Sequence, residues 1–174
     1  DPNWNWWELA GKTIGIIGMG NIGSKVAKIA EAFGMNVCYF STSGTGHCKD
    51  YPCLSLEELL KVSDIVSIHA PLNERTNRLI GKEQLALMKP TAYLVNVGRG
   101  AIIVEEDLAE AVDNGIIAGA GIDVFVQEPI PEGHPYLKMQ HPERMRLTPH
   151  IAWASIEARR RLIDIMADNI RKGW

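Results

Sequence analysis

Short apolar runs alternate with longer amphipathic stretches along most of the chain. The run from Thr13 to Ile17 ends at Gly18, which is typical of a buried strand in a parallel sheet. Between Asn21 and Phe33, apolar residues recur at helical spacing, at Ile22, Val26, Ile29, Ala30 and Phe33. Gly34 then stands where a glycine ends a helix. The pattern therefore opens with a strand and a helix.

The same alternation continues to the end of the chain. Further strands are predicted at Asn36–Phe40, Asp64–Ile68, Ala92–Val97, Ile116–Ile122 and Arg146–Thr148. Ser55 and Glu58 form a capping box, which predicts a short helix that ends at about Lys61. Further helices are predicted at Lys82–Met88 and Glu105–Asn114, and a last one from Ser155, as its N-cap, to about Lys172. Residues 124–145 are rich in proline and polar side chains and predict a long loop. Repeated strand–helix units predict an α/β fold, a parallel sheet with helices on both faces.

Composition narrows the classes of function. The 174 residues are 46% hydrophobic and 22% charged, as expected for one globular domain. The net charge of −3 disfavours a nucleic-acid partner, and no apolar run approaches the ~18 residues of a membrane span. Three cysteines and no recognisable secretory leader favour a cytoplasmic location.

Three tryptophans, Trp4, Trp6 and Trp7, crowd the first seven residues. An exposed aromatic cluster of this kind calls for a covering surface. Either another part of a larger protein covers these rings, or they fold back on their own domain, and the sequence leaves both alternatives open.

A glycine motif lies between the first predicted strand and helix. Residues 18–23 read Gly-Met-Gly-Asn-Ile-Gly and fit G-x-G-x-x-G in the context that this motif requires. Gly18 permits the tight turn, Gly20 lets the backbone approach a pyrophosphate, and Gly23 lets the helix lie close to the strand. The helix N-terminus adds unpaired N–H groups and a partial positive charge. We therefore predict contacts to a dinucleotide, NAD(H) or NADP(H), from Gly18, Gly20, Asn21, Ile22 and Gly23.

The acidic residue that usually holds the adenosine ribose is missing after the second strand. That strand runs into Ser41, Thr42 and Ser43, and the first acid afterwards is Asp50. The three hydroxyl groups are candidate donors to a 2′-phosphate, with charge from His47 or Lys49, although no arginine directly follows the strand. We therefore expect NADP(H) to be accepted, and the preference between the two cofactors stays open.

Three later segments carry candidate catalytic side chains, each after a predicted strand. They are residues 96–100 (Asn-Val-Gly-Arg-Gly), residues 121–129, which include Asp123 and Glu128, and residues 148–153 (Thr-Pro-His-Ile-Ala-Trp). With the glycine motif and His69-Ala70-Pro71-Leu72, they resemble the D-isomer-specific 2-hydroxyacid dehydrogenases from about Leu9 to Ile170. The motif around Trp153 is most similar to the glycerate dehydrogenases (hydroxypyruvate reductases) of that family.

The resemblance implies a fold and a domain organisation. It implies a Rossmann-type, doubly wound nucleotide-binding domain over residues 1–174, in which 1–8 and 173–174 connect to a substrate domain absent from this chain. It also implies hydride transfer between a nicotinamide cofactor and a 2-keto or 2-hydroxy acid. It further implies a homodimer formed through this domain, and the 124–145 loop and the tryptophans are the candidate contacts. The chain alone is expected to bind cofactor but to turn over slowly or not at all.

The resemblance also implies roles for individual residues. Arg99 would hold the substrate carboxylate, with Trp153 nearby, and His150 would exchange a proton with the substrate oxygen. Glu128 would orient His150 and favour its protonated form, and Asp123 would bind the nicotinamide carboxamide. The remaining predicted cofactor contacts are His69, Ala70, Pro71, Thr76, Val97, Gly98 and His150.

Several alternatives remain at the level of sequence. A non-catalytic NAD(H)-sensing scaffold, or a co-repressor-like protein of the same fold, is the alternative function. No metal site is predicted, because the spacing of His47, Cys48 and Cys53 does not match a zinc pattern. His69 either contacts the cofactor or only packs. His134 and His141 are expected to be solvated.

Overall fold

Six parallel strands form the sheet of the computed structural model, which describes residues 7–173. They are β1 (Thr13–Ile17), β2 (Asn36–Phe40), β3 (Ile65–Ile68), β4 (Tyr93–Asn96), β5 (Gly119–Ile122) and β6 (Met145–Leu147). Their order across the sheet is β2–β1–β3–β4–β5–β6, and every neighbouring pair is parallel. The chain thus extends from β1 in one direction to β2 and in the other from β3, which confirms the doubly wound sheet.

The helices are α1 (Asn21–Ala32), α2 (Leu56–Val62), α3 (Lys82–Leu85), α4 (Glu105–Asp113) and α5 (Ile156–Lys172). The predicted capping box is confirmed, because Ser55 accepts the amide of Glu58 and the Glu58 carboxylate accepts the amide of Ser55. Helix α3 and strand β5 are shorter than predicted. The amides of Leu87 and Met88 bond carbonyl groups three residues back, ahead of Pro90. The amide of Ile116 closes the end of α4 instead of joining the sheet.

Helices cover both faces of the sheet, as predicted. Ile14 and Ile16 of β1 pack on the same side as Ala27 and Ala30 of α1. Ile17 points the other way, into a larger core that includes residues of α2 and α4. Alternate side chains of β1 are therefore buried on opposite faces, which explains the unbroken apolar run.

The buried face of α1 is made of small residues. Gly23, Ala27 and Ala30 face the sheet, whereas Ile22, Ile29 and Phe33 are 64%, 59% and 61% exposed. Both stripes have helical spacing, so the apolar pattern located the helix without identifying its buried side. The small stripe faces inward because α1 must lie close to β1 at the glycine turn.

Part of the 124–145 loop is packed rather than solvated. His134 is only 4% exposed, so its predicted solvation is wrong. Its ring lies against Phe125 and Tyr136, at centroid distances of 5.8 and 4.8 Å, and its Nε2 is 3.1 Å from Oε2 of Glu105. The other Glu105 oxygen accepts the amide of Val126 at 2.9 Å. These contacts attach the loop to α4. The side chains buried there are therefore not available for the expected dimer contact.

Two predictions fall at the termini. Trp4 and Trp6 lie outside the described residues, and Trp7 is exposed. Ser155 caps helix α5 by accepting the amide of Ala158, and none of the helix residues is buried. No helix in residues 7–173 is both long enough and apolar enough to cross a membrane.

Candidate active site

All six strands end at one edge of the sheet, and each predicted site segment follows one of them. Residues 18–23 follow β1, 41–43 follow β2, 69–71 follow β3, 97–99 follow β4, 123–128 follow β5 and 148–153 follow β6. Because the strands are parallel, segments that are far apart in sequence share the edge where α/β sheets bind ligands.

The glycine turn has the shape that a dinucleotide requires. Gly18 has φ of +96°, and a Cβ on Gly23 would lie 2.2 Å from the Gly18 carbonyl oxygen. A Cβ on Gly20, by contrast, would meet no atom within 4 Å. No side chain caps α1 at Gly20, so the first amides of the helix are available to an anion. The turn thus leaves open space and donors where a pyrophosphate fits.

A cavity of about 260 Å³ adjoins this turn, and its lining includes Gly20, Ser41, His47, His69 and Pro71. The Nε2 atom of His69 is 2.9 Å from the Ser67 hydroxyl, while its buried Nδ1 has no partner in the part of the chain that the structure describes. Burial lowers the pKa of His69 and so favours the neutral ring. An unpartnered buried nitrogen fits a site that a ligand completes, and the predicted cofactor contact of His69 remains a prediction.

The loop after β2 is held by a network of hydroxyl groups. The Ser41 hydroxyl donates to the Thr45 carbonyl at 2.5 Å and lies 3.0 Å from the Ser43 hydroxyl. His47 Nε2 is 2.9 Å from Ser43 Oγ. An arginine, which sequence reasoning did not find here, reaches this loop from the turn after β3, since Arg75 Nη1 donates to the Ser43 carbonyl at 3.1 Å. Ser43 and Arg75 are 32 positions apart in sequence, so no local motif indicates this contact.

Glu128 and His150 meet at the ends of β5 and β6. The Glu128 Oε2 atom is 2.8 Å from His150 Nδ1, and Oε1 accepts the Phe125 amide at 3.0 Å. The contact with His150 and the amide bond together lower the pKa of Glu128. An ionised carboxylate at Nδ1 places the proton there and leaves Nε2 for a substrate. A cavity of about 430 Å³ lies beside the pair, lined in part by Phe125, Leu147 and Pro149.

The backbone at His150 is unusual, with φ of +55°. Histidine adopts the left-handed region more often than most residues, and such strained positions concentrate at functional sites. Asp123 holds the segment in this conformation. Its carboxylate accepts the Thr148 hydroxyl at 2.5 Å and the amides of Ile151 and Ala152 at 2.9 and 2.8 Å. Asp123 therefore positions His150. The sequence predicted only a contact of Asp123 with the nicotinamide carboxamide and not this positioning role.

We expect Asp123→Asn to lower the free energy of unfolding by about 2 kcal/mol at pH 7, because an amide cannot accept all three bonds. Burial of the Asp123 carboxyl raises its pKa, but the bonds from Thr148, Ala152 and Ile151 outweigh burial, so the pKa lies below its ordinary value. A lowered folded-state pKa adds stability above the unfolded value of about 3.9, and this stability is lost as pH falls through the folded value.

Urea unfolding of the wild type and the variant between pH 3 and 7 measures this difference. It should be constant from pH 5 to 7 and shrink below about pH 4. Asp164→Asn, on the exposed side of α5, is the matched control and should change stability by less than about 0.5 kcal/mol. A variant as stable as the wild type at pH 7 would contradict the anchoring role.

Arg99 follows β4 on a turn that a buried asparagine braces. Asn96 accepts the Gly98 amide at 3.0 Å and donates to the Arg99 carbonyl at 2.9 Å. The Arg99 guanidinium is exposed and donates to the Gly98 carbonyl at 2.7 Å, and it does not line the cavity beside His150. No role was predicted for Asn96 from the sequence, although its position at the end of a predicted strand indicated that it could support the following turn.

The remaining predicted contacts differ in accessibility. Val97 and Gly98 are partly exposed, Asn21, Ile22 and Pro71 are exposed, and Ala70 is buried. Thr76 is fully buried, where its hydroxyl donates to the Pro71 carbonyl at 2.6 Å and supports its own loop. Trp153 is exposed and follows the His150 segment. In residues 7–173, no three His, Cys, Asp or Glu side chains converge as metal ligands.

Residues 1–152 match the family model described as "D-isomer specific 2-hydroxyacid dehydrogenase, NAD binding domain". A glyoxylate reductase of Aeropyrum pernix is 46% identical over 168 residues, which are 94% of this chain and 49% of the relative. A hydroxypyruvate reductase of Blautia hydrogenotrophica is 39% identical over 179 residues, covering 99% of this chain and 55% of the relative. Among solved structures, an acyclic imino acid reductase in complex with NADPH and D-Arg superposes with a TM-score of 0.88 at 36% identity, covering 98% of this chain and 53% of its own. The chain thus spans about half the length of the proteins that it matches.

Proposed function

The chain belongs to the D-isomer-specific 2-hydroxyacid dehydrogenase family, as its NAD-binding domain, and from that premise we propose that the protein containing it reduces 2-keto acids to D-2-hydroxy acids with NAD(P)H. The observation that carries the proposal is the Glu128–His150 pair, 2.8 Å apart at the carboxyl edge of the sheet. That edge also holds the glycine turn, so a proton donor and a dinucleotide site lie on the same edge of the sheet.

The chemistry divides between the cofactor and the chain. When bound, the nicotinamide supplies the hydride in reduction and accepts it in oxidation. His150 Nε2 donates a proton to the carbonyl oxygen, and Glu128 stabilises the imidazolium and holds the ring. Arg99 binds the substrate carboxylate, which a planar guanidinium suits. Among the residues that the structure describes, this exposed side chain bonds only its own turn, so it must turn toward the substrate to do so.

We propose hydroxypyruvate as the preferred substrate and glyoxylate as its main competitor. The relatives support both, since they carry the names glyoxylate reductase, hydroxypyruvate reductase and glycerate dehydrogenase. The segment around Trp153 supports the first, because its motif resembles that of the glycerate dehydrogenases and Trp153 is exposed three residues after His150. We further propose that NADP(H) is accepted, because no acidic side chain faces a 2′-phosphate after β2.

Oxidation of NADH and NADPH, followed by absorbance at 340 nm with each keto acid, tests this function. We expect turnover by the protein that contains this chain, with a kcat/KM for hydroxypyruvate at least about threefold above that for glyoxylate. The 174-residue chain alone should bind cofactor yet reduce the keto acid at under about 1% of that rate, because a substrate domain is needed to enclose the substrate. Rapid reduction by the isolated chain would contradict the proposed two-domain organisation.

The second candidate function is a non-catalytic NAD(H)-sensing scaffold of the same fold. Saturable NADH binding without turnover on any small 2-keto acid, by the protein that contains this chain, would favour it. Turnover separates the two functions, because such a scaffold can retain the Glu128–His150 pair without using it.

Two expectations about the whole protein complete the proposal. The first is a homodimer through this domain, supported by the exposed apolar side chains Ile29 and Phe33 on α1, and sedimentation equilibrium tests it. The second is a cytoplasmic location, supported by the free cysteines Cys38, Cys48 and Cys53, which cell fractionation tests.

A further inference from the structure

We propose that Arg75 is the residue that binds the 2′-phosphate of NADP(H), reaching the end of β2 from the turn after β3. The proposal rests on the proposed dinucleotide site and deepens it, since it assigns cofactor specificity to a side chain outside the motifs that predict the site. It also replaces the expectation that His47 or Lys49 supplies the positive charge.

The geometry places Arg75 beside the hydroxyl groups that follow β2. A cavity of about 280 Å³ is lined by Ser41, Thr42, Gly44 and Arg75, together with apolar surface from Phe40 and Leu54. Ser41 and Thr42 also line the cavity next to the glycine turn, so the two cavities share a wall. A dinucleotide that starts at the glycine turn and follows this wall brings its adenosine ribose toward Arg75.

The base of Arg75 is held in place by its own turn. The Arg75 amide donates to Asn73 Oδ1 at 2.9 Å, and the buried Thr76 hydroxyl bonds both the Pro71 carbonyl and the Asn73 amide. The guanidinium uses one N–H on the Ser43 carbonyl. Within residues 7–173 this is its one hydrogen bond, so four of its five N–H groups remain for an anion and it can bind a phosphate without leaving Ser43.

The surrounding charges favour an anion. No acidic side chain lines either cavity within residues 7–173, and an acid at this place would repel a 2′-phosphate. His47 is engaged by Ser43 and Thr45, at 2.9 and 3.1 Å, so its ring shapes the loop. Lys49 lines neither cavity. Arg75 is therefore the one guanidinium or ammonium group among the side chains that form this wall.

The test compares Arg75→Gln with Lys49→Gln, which removes the same charge from a residue closer in sequence to β2. Dissociation constants are measured on the 174-residue chain for NADPH and NADH by energy transfer from tryptophan, and for 2′,5′-ADP and 5′-AMP by calorimetry. The two adenosine fragments need no nicotinamide site or substrate, so a failure of keto-acid reduction leaves their affinities unaffected.

We expect Arg75→Gln to weaken NADPH and 2′,5′-ADP about 30-fold, as the loss of a charge-assisted phosphate contact implies, and NADH and 5′-AMP less than twofold. Arg75→Lys should recover part of the loss, since an ammonium keeps the charge without the planar fork. Lys49→Gln should change all four constants less than threefold.

Three results would overturn the proposal. Equal losses for NADPH and NADH in Arg75→Gln would mean that Arg75 only shapes the loop. A larger loss of NADPH affinity in Lys49→Gln would assign the charge to Lys49. A wild-type chain that binds 5′-AMP as tightly as 2′,5′-ADP, or binds neither, has no 2′-phosphate site.

Discussion

Replacing His150 with asparagine is expected to lower kcat for keto-acid reduction about a thousandfold, as the loss of a general acid implies, and to change NADH affinity less than about threefold. Asparagine tolerates the positive φ of this position, and its amide nitrogen can take the place of Nδ1 against Glu128. The substitution thus keeps the fold of the segment and removes only Nε2. Initial rates and NADH titrations of the protein that contains this chain measure both quantities.

The control for this variant is His141→Asn, which removes a partly exposed histidine from a 3₁₀ turn away from the sheet edge. Its kcat should stay within about twofold of the wild type. A His150→Asn protein that retains more than a tenth of the wild-type kcat would exclude His150 as the proton donor. A parallel loss of NADH affinity would instead indicate that His150 acts by shaping the cofactor site.

Substitutions in the glycine turn are expected to have the second large effect, on cofactor binding or on stability. The two effects separate because Gly20 and Gly23 are required for different reasons. Gly20→Ala should weaken NADH binding by tenfold to a hundredfold with an unchanged Tm, since its Cβ meets no protein atom but enters the space that a pyrophosphate needs. Gly23→Ala should lower the Tm itself, because its Cβ would lie 2.2 Å from the Gly18 carbonyl oxygen.

Thermal unfolding and NADH titration of the two variants separate these effects. Gly133→Ala is the matched control, since its Cβ would be 3.6 Å from its nearest neighbour, the flexible end of Lys138, and both measurements should match the wild type. Normal NADH affinity in Gly20→Ala would show that no ligand group approaches this backbone. A normal Tm in Gly23→Ala would contradict the tight packing of α1 on β1.

The order of strands and helices could be predicted because each depends on neighbouring residues. Three such local features are present in the structure as predicted: the apolar run Thr13–Ile17, the Ser55 capping box and the G-x-G-x-x-G turn. Each of them depends on residues that are only a few positions apart. Once the strands are parallel, their carboxyl ends must share an edge, so the sequence also predicted where residues 97–99, 123–128 and 148–153 lie.

The details that the sequence missed depend on which surfaces meet. His134 was expected in water, but the loop folds onto α4 and buries it beside Glu105. Helix α1 turns its small residues inward, because close approach to β1 outweighs the burial of the larger apolar stripe. Neither outcome has a local signal, since each depends on a packing partner that is distant in sequence.

The sequence by itself thus determined the elements, the parallel sheet, the glycine turn and the identity of the residues at the strand ends, because periodicity and turn chemistry are local. Only the tertiary structure decided which side chains touch. It set the 2.8 Å contact of Glu128 with His150, the three bonds by which Asp123 holds the His150 segment, and the arrival of Arg75 at a loop 32 residues earlier in the chain. Such contacts are set by the packing of the sheet and its helices, which no single segment encodes.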